Sequence, residues 1–375
     1  MTRSVAPAEV AASPGVLPSQ ALRALAETGA VAADAPLAAG QIQPASLDLR
    51  LGRRAWRVRA SFLAGAGRSV ADRLSDFAMH EMSLEPGAVL ETGCVYVVEL
   101  MERLALPADV SGAANAKSST GRLDVFTRVI ADRGVEFDRV PQGYAGPLYA
   151  EISPRTFSVL ARAGDRLTQL RLRRGAAGLD DAEHAAIHAA LGLVDGEALI
   201  DGGVGFSVDL SAQAAGAMSG VVGWKARRHS ALIDLGRLDA YDPLDFWDPV
   251  RPGRAGEVIL DPGAFYILVS RESVHVPPDC AAEMAPYMAV AGEFRVHYAG
   301  FFDPGFGHGP AGGAGSRAVL EVRCHEAPFA LEHGQTVGRL VYERMAERPE
   351  ILYGRDIGST YQAQGLRLSK HFRAA

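Results

Sequence analysis

One six-residue segment concentrates the groups that proteins use to hold phosphate. It contains two cations, three hydroxyl side chains and a glycine: Lys117, Ser118, Ser119, Thr120, Gly121 and Arg122. Phosphate oxygens accept charge-assisted hydrogen bonds from Lys and Arg, and a glycine lets the backbone approach a ligand closely. Backbone N–H groups at the start of a helix would add further donors. A solvated Ser/Lys turn has the same composition, so the segment needs a second observation beside it.

Two glutamates offer acid–base chemistry. Glu151 and Glu321 each have apolar neighbours in a short strand-like run. Burial among apolar groups raises the pKa of a carboxyl group, and a pKa nearer neutrality lets one group accept and then donate a proton. The alternative is an exposed strand residue paired with a nearby arginine, such as Arg155 or Arg323.

One pattern of catalytic zinc ligands is missing from the sequence. Such a site needs a His or Cys next to a glutamate, followed by a Pro-Cys-x-x-Cys pair. The three cysteines Cys94, Cys280 and Cys324 are far apart, and the Cys324-His325 pair has no partner at ligand spacing. The sequence therefore predicts no catalytic metal. An odd number of dispersed cysteines is also typical of a cytoplasmic chain.

The elements that must position these groups repeat along the chain. Glu151 and Glu321 lie 170 positions apart, and the same offset separates Asp109 from Asp279 and Gly164 from Gly334. The segment Leu84–Gly87 also resembles Leu260–Gly263. A constant offset over a long stretch predicts a duplicated domain rather than a short solenoid repeat. The alternative is one large domain with accidental similarity.

Short strands separated by turn residues fill both copies. They are predicted at Val95–Leu100, Leu148–Ile152 and Leu167–Leu172, and again at Phe265–Val269, Ala318–Val322 and Thr336–Tyr342. This spacing, in a chain with 41 Gly and 21 Pro, favours an all-β barrel or sandwich. A third run alternates Leu47, Leu49 and Leu51 with polar residues, which predicts a half-buried strand.

Helices are predicted where the copies begin and meet. Pro18–Thr28 and Leu179–Leu191 have apolar residues at helical spacing, and Asp180 or Asp181 can cap the second helix. The domains are therefore placed at residues 1–175 and 201–375, with a helical linker at 176–200.

Charge and hydropathy exclude several classes of protein. The net charge of −6 over 375 residues gives no basic field for DNA or RNA. The longest apolar runs, Cys94–Leu100 and Ala264–Val269, are too short to span a bilayer, and Met1–Gln20 lacks the apolar core of a signal peptide. We expect a cytoplasmic protein that binds neither nucleic acid nor membrane.

Several motifs together resemble a known family. The segment Lys117–Arg122 is similar to the Arg-Ser-Ser-x-x-Arg phosphate motif of the dUTPase and dCTP deaminase superfamily. The other similar segments are Gln43–Gly52, Tyr144–Ile152, Ala161–Leu170, His297–Phe306, Val319–Val322 and the tail from Tyr353 to Gly365. The resemblance covers about residues 40–172 and 255–366 and is best to the double-length bacterial dCTP deaminases.

The resemblance implies a mainly β fold, with tandem duplicated dUTPase-like β-barrel or β-clip domains and a few short helices. It implies metal-independent hydrolysis of dCTP to dUTP and ammonia, with Mg²⁺ present only as the counter-ion of the triphosphate. Glu321 or Glu151 would be the acid/base, Ser118 would position water, and Arg122 would stabilise developing charge. The remaining substrate contacts that it implies are Lys117, Ser119, Thr120, Gly121, Ala299, Asp303, Val319, Leu320, Tyr353 and Gln364.

The halves depart from the family pattern in different ways. Lys117 replaces an arginine, and Thr360 stands where the tail motif has a lysine. The second half lacks the phosphate motif and the first lacks the base-recognition hairpin. Because sites in this superfamily lie between subunits, we expect one composite site built from both halves, in a homo-oligomer with trimer-like packing of domains.

Three other functions stay open at this point. A dUTP diphosphatase shares the phosphate motif and would use an aspartate such as Asp132 to activate water. A bifunctional enzyme would convert dCTP to dUMP. A nucleotide-binding regulator without catalysis is compatible with the loss of family motifs from one half.

Overall fold

The structure is a computed structural model. It describes residues 13–211, 218–286, 294–297, 300–311, 313, 315–324, 326–354, 356–357 and 361–374. Ala299 and Thr360, for which the sequence made predictions, lie outside these residues.

The first half is built almost entirely from strands. Its elements are β1 (Gly15–Val16), α1 (Ser19–Glu27), β2 (Val31–Ala33), β3 (Leu47–Val58), α2 (Val70–Phe77), β4 (Ala78–Ser83), β5 (Ala88–Leu90), β6 (Val95–Ala105), β7 (Val110–Ala116), α3 (Ser118–Gly121), β8 (Val125–Ala131), β9 (Arg139–Val140), β10 (Ala145–Pro154), β11 (Val159–Ala161) and β12 (Arg166–Arg174). The main sheet has the strand order β8-β10-β6-β3-β12-β7-β9 and is nearly closed, like a barrel.

The second half follows a short helix. Its elements are α4 (Asp181–Leu191), β13 (Val204–Ser207), β14 (Gly223–Ala226), β15 (Ile233–Asp234), α5 (Pro243–Phe246), β16 (Trp247–Val250), β17 (Val258–Leu260), β18 (Phe265–Val274), β19 (Cys280–Pro286), β20 (Phe294–His297), β21 (Phe301–Phe302), a 3₁₀ turn (Gly309–Ala311), β22 (Ser316–Cys324), β23 (Phe329–Leu331) and β24 (Thr336–Arg344). The predicted mainly β fold with few short helices is confirmed.

The duplication is visible in the strand register. In the first half Glu151 on β10 pairs with Val97 on β6, and in the second half Glu321 on β22 pairs with Ile267 on β18. Both members of the second pair lie 170 positions after those of the first. The two copies therefore share their pattern of strand pairing, in addition to identical residues at scattered positions.

One part of the predicted repeat was out of register. Strands β5 and β17 end at Leu90 and Leu260, which are 170 positions apart, whereas Leu84 lies 176 positions before Leu260. A matching hydrogen bond follows each strand: Glu91 N donates to the Tyr96 hydroxyl at 3.1 Å, and Asp261 N donates to the Tyr266 hydroxyl at 2.9 Å. Leu84–Gly87 is a separate turn with a similar composition, so matching it to Leu260–Gly263 was wrong.

Strand β3 differs from its predicted half-buried state. Leu47, Leu49 and Leu51 are buried as expected, but Asp48 and Arg50 on the opposite face are buried too. Arg50 Nε donates to Glu102 Oε1 at 2.8 Å, and Asp48 accepts a hydrogen bond from Lys117. Burial of charged groups is tolerated when each is paired, so alternation of apolar and polar residues did not indicate a solvent face here.

Both predicted helices are confirmed. Helix α1 occupies Ser19–Glu27, inside the predicted span. Helix α4 begins with a capping box, in which Glu183 N donates to the Asp180 carboxylate at 2.8 Å and Asp180 N donates to the Glu183 carboxylate at 2.9 Å. In the part of the chain that the structure describes, no helix has both the length and the apolar character needed to cross a membrane.

The cores of the two halves are not independent. The larger apolar cluster belongs mainly to the first half but includes Trp224, Phe246 and Trp247, together with Leu368 and Phe372 near the end of the chain. The second cluster lies between the sheets of the second half. Packing therefore crosses the limits predicted at residues 175 and 200 and holds both halves in a fixed relation.

Candidate active site

A cavity of about 210 Å³ opens between the two halves. Nine of the residues predicted to touch substrate line it: Lys117, Ser118, Ser119, Arg122, Asp303, Val319, Glu321, Tyr353 and Gln364. The first four come from the first half and the other five from the second. The fold therefore brings together side chains that are up to 247 positions apart in the sequence.

The segment Lys117–Arg122 forms a single helical turn after β7. Lys117 has extended backbone geometry and its carbonyl accepts hydrogen bonds from Thr120 N at 2.8 Å and Gly121 N at 3.0 Å. Helix α3 thus folds Ser118 and Ser119 toward the cavity, while Thr120 and Gly121 are buried and are not among the described residues that line it. The predicted contacts at Thr120 and Gly121 have no support from this cavity.

Arg122 connects the helical turn, the tail and the carboxylate. Its guanidinium donates to Gln364 Oε1 at 3.0 Å and to the Arg367 carbonyl at 2.9 Å. It also stacks on the Tyr361 ring, with 3.9 Å from the guanidinium carbon to the ring centroid. Its Nε lies 3.8 Å from Glu321 Oε1. Arg122 is 2% exposed, so this is a desolvated cation held in a fixed position.

Glu321 is a buried carboxyl group beside that cation. It lies on β22, between Ile267 on β18 and His297 on β20 in the strand register, and is 4% exposed. Burial raises the pKa of Glu321 to about 8, although Arg122 acts in the opposite direction. Glu321 can therefore take up and release a proton close to neutral pH.

Asp303 occupies the hairpin side of the cavity. Its carboxylate accepts a hydrogen bond from Arg171 Nη2 at 3.2 Å, and burial raises its pKa while Arg171 lowers it. Two residues further on, Gly305 has φ of 100°, and a Cβ there would lie 2.9 Å from the backbone N and O of Tyr353. Only glycine fits there, so the hairpin and the tail at Tyr353 can pack backbone to backbone.

Comparison with known proteins agrees with this arrangement. Residues 13–176 match the family model for the 2'-deoxycytidine 5'-triphosphate deaminase N-terminal domain, and residues 180–372 match the model for the C-terminal domain.

This chain belongs to the dCTP deaminase family.

A solved structure is similar over most of the chain. The crystal structure of 2'-deoxycytidine 5'-triphosphate deaminase from Agrobacterium tumefaciens is 55% identical with a TM-score of 0.85, covering 90% of this chain and all of that one. The dCTP deaminase of Haloarcula marismortui is 31% identical over 35% of this chain and 65% of its own length. The dUMP-forming dCTP deaminase of Halobacterium salinarum is 32% identical over 29% of this chain and 53% of its own length. The matches to these two curated relatives thus span about half to two thirds of those proteins.

Within this dCTP deaminase fold, Glu151 has a different environment from Glu321. It is buried, but Arg128 Nη2 donates to its Oε1 at 2.6 Å, and the Arg128 guanidinium lies 3.5 Å from the Phe137 ring centroid. Arg128 occupies the register position opposite Glu151 that His297 occupies opposite Glu321. Glu151 is not among the described residues lining the cavity. The structure thus gives no support to Glu151 as the acid/base. Glu151 is paired with an arginine, as in the alternative, but the arginine is Arg128 rather than Arg155 and the glutamate is buried rather than exposed.

Three further predictions receive no support from the geometry. Leu320 is fully buried in the core of the second half and does not appear among the described residues that line the cavity. Asp132, the candidate base of a dUTP diphosphatase, accepts a hydrogen bond from Val70 N at 2.7 Å and so caps helix α2. Arg323, considered as a partner for Glu321, pairs with Asp124 instead. Ala299 lies outside the described residues.

Several lining residues were not predicted from sequence. They include Gln43, Gln169, Phe301, Phe306, Tyr361 and Lys370. Gln43, Gln169, Phe301, Phe306 and Tyr361 lie inside segments that carried the family resemblance, so their positions could have suggested a role. Lys370 lies beyond the last such segment and only the three-dimensional path of the chain reveals it.

The described residues contain no cluster of three or more His, Cys, Asp or Glu side chains that could hold a metal ion.

Proposed function

We propose that this chain removes the 4-amino group of dCTP by hydrolysis and yields dUTP and ammonia. The observation that carries the proposal is Glu321, a buried carboxyl group with a pKa of about 8 in the same cavity as Ser118 and Arg122. A proton-transferring group, a hydroxyl and a fixed cation are the groups that hydrolysis of an amino-pyrimidine requires.

Glu321 moves protons in both halves of the reaction. Ionised Glu321 accepts a proton from the water that attacks C4 of cytosine and delivers it to N3. The tetrahedral centre then loses its amino group: Glu321 transfers the remaining hydroxyl proton to the departing nitrogen, the C4–N bond breaks and the C4=O bond forms. One water is consumed and one ammonia leaves, so the carboxylate is regenerated.

Ser118 and Arg122 act on the same reacting atoms. Ser118 positions the attacking water, because its hydroxyl can both donate and accept. Arg122 stabilises the negative charge that develops as water attacks, and its four protein contacts fix its position before substrate arrives. The triphosphate lies along the Lys117–Arg122 turn, while the hairpin around Asp303 holds the sugar and base.

No catalytic metal takes part in the proposed reaction, and Mg²⁺ accompanies the triphosphate as its counter-ion. The proposed product is dUTP rather than dUMP, since the Asp132 carboxylate is engaged in capping α2. A homo-oligomer with trimer-like packing of domains and a cytoplasmic location remain predictions from the sequence.

The test is an assay of the purified chain with dCTP and Mg²⁺, with ammonia measured enzymatically and nucleotides separated by chromatography. The expected result is ammonia and dUTP in equal amounts, unaffected by a zinc chelator. Release of dUMP with pyrophosphate would indicate the bifunctional reaction, and binding of dCTP without turnover would indicate a regulator.

A further inference from the structure

The last described segment of the chain packs against the Lys117–Arg122 turn. Ser369 Oγ donates to the carbonyl of Ser119 in α3 at 2.7 Å and lies 2.9 Å from His371 Nδ1. Phe372 anchors the segment in an aromatic cluster, with its ring centroid 5.4 Å from Phe246 and 5.9 Å from Trp247. These contacts fix the residue between them, Lys370, beside the cavity.

Lys370 is a half-buried cation without a carboxylate partner. It lines the cavity beside Lys117, and none of the described residues forms an ion pair with it. Burial lowers the pKa of Lys370, and the nearby Lys117 ammonium lowers it further. The chain has three lysines in all, so two of them converge on one cavity. Lys117 pairs with Asp48, so of these two lysines Lys370 is the one that forms no ion pair with the described residues, and an anion bound beside it would stabilise its charge.

A second, adjacent cavity points to the same ligand. It has a volume of about 270 Å³ and shares Lys117, Ser119 and Lys370 with the first; the carboxylates of Asp48, which pairs with Lys117, and of Asp165 also line it. Thr120 lines it with a fully buried hydroxyl that has no hydrogen-bond partner among the described residues. A buried hydroxyl without a partner costs free energy unless a ligand or water satisfies it.

We infer that Lys370, with Lys117 and the Thr120 hydroxyl, binds the terminal phosphates of the nucleotide where these two cavities meet. The inference rests on the proposed function and adds to it the site that distinguishes a triphosphate from a monophosphate. The C-terminal segment thereby contributes directly to substrate binding, in addition to covering the cavity. Arg122, which already has four protein contacts, remains at the reacting end.

The test compares Lys370→Gln and Lys370→Arg with wild type, with Lys225→Gln as a matched control. Lys225 is the third lysine and pairs with Asp261 at a different surface. We expect Lys370→Gln to raise KM for dCTP by at least about tenfold, the effect of one charge-assisted hydrogen bond, with kcat changed less than about twofold. The inhibition constant of dCMP, measured as a competitor, should stay unchanged. Lys370→Arg should recover part of the affinity, and Lys225→Gln should match wild type.

Each outcome decides the question. An unchanged KM for dCTP in Lys370→Gln, or an equal weakening of dCMP, overturns the inference, because the lysine then acts on no phosphate or only on local structure. If dCMP inhibits neither the wild type nor Lys370→Gln, the KM values for dCTP decide the question alone. The inference then requires a higher KM in Lys370→Gln than in both Lys370→Arg and Lys225→Gln. Absence of dCTP turnover in the wild type would instead contradict the proposed function, so the two failures are distinguishable.

Discussion

The proposed chemistry depends on which of two equivalent glutamates has a carboxyl group that no described arginine holds by a direct hydrogen bond. Glu151 and Glu321 occupy the same register in the two halves and both are buried. Arg128 donates directly to Glu151 at 2.6 Å, whereas Arg122, which pairs with Glu321 among the described residues, has its Nε 3.8 Å from Glu321 Oε1. At the longer distance burial outweighs the attraction of the cation, so the pKa of Glu321 rises to about 8.

Replacement of these two glutamates should therefore have opposite results. Glu321→Gln should lower kcat for dCTP by about 10²–10⁴-fold, the range for loss of a general acid/base, with little change in nucleotide binding. Glu151→Gln is the matched control and should keep kcat within about threefold of wild type, because it removes a structural ion pair. Steady-state kinetics and equilibrium binding measure both effects. Full activity in Glu321→Gln would show that another group transfers the proton.

The raised pKa also predicts the pH dependence of the reaction. Glu321 must be ionised to accept a proton from water, so kcat/KM should rise with pH up to about 8 and level off above that value. The activity that remains in Glu321→Gln should not show this rise with pH. A profile that is flat between pH 6 and 9 in the wild type would show that the ionisation of Glu321 does not limit the reaction.

The burial of Glu321 also lowers the stability of the folded chain at high pH. Its pKa in the folded state, about 8, lies above the ordinary value of 4.5, so between these values the folded state binds more protons than the unfolded state. The free energy of unfolding therefore falls as pH rises through this window. Glu321→Gln should be more stable than wild type at pH 8 by at least about 1 kcal/mol, or about 2 °C in Tm, and equally stable near pH 4. Thermal melts at both pH values measure this difference.

At the scale of elements, the sequence predicted strands and helices better than it predicted which distant residues pair with one another. The helices at α1 and α4 and the repeat at an offset of 170 positions were readable, because turn residues, capping residues and apolar periodicity are local signals. The burial of both faces of β3 was not readable, since Asp48 and Arg50 are neutralised by Lys117 and Glu102, which are distant in the sequence.

The C-terminal segment shows the same limit and can be tested. Phe372 is 3% exposed in the aromatic cluster with Phe246 and Trp247, and it holds Lys370 and Ser369 against α3. Phe372→Ala should cost about 3–5 kcal/mol of stability, as is usual for buried aromatic residues, and should raise KM for dCTP more than it lowers kcat. Arg373→Ala, at an exposed neighbouring position, is the control and should change neither. A loss of stability with an unchanged KM would mean that the segment only supports the fold.

At the scale of the whole molecule, one chain supplies both sides of the cavity. Buried ion pairs join the halves, with Arg171 bound to Asp303 and Arg323 bound to Asp124, and the larger core takes side chains from both. The sequence predicted the composite site from the unequal decay of the two halves. It could not place Lys370 beside the cavity, because that depends on how the halves pack, and it did not indicate the pairing of Glu151 with Arg128 on the neighbouring strand of the first half.

This arrangement predicts the result of mixing two inactive variants. Ser118→Ala removes a group from the first half of the site and should lower kcat by about 10²-fold, the effect of losing one positioned polar contact. Glu321→Gln removes the proposed acid/base from the second half. Because Ser118 and Glu321 line the same cavity within one chain, each variant carries a defect in its own site. Co-expression of the two variants should therefore give only the average of their separate activities. Recovery well above that average would show that the site forms between the first half of one chain and the second half of another. A tagged variant purified together with its untagged counterpart would confirm that mixed oligomers had formed and that the comparison is valid.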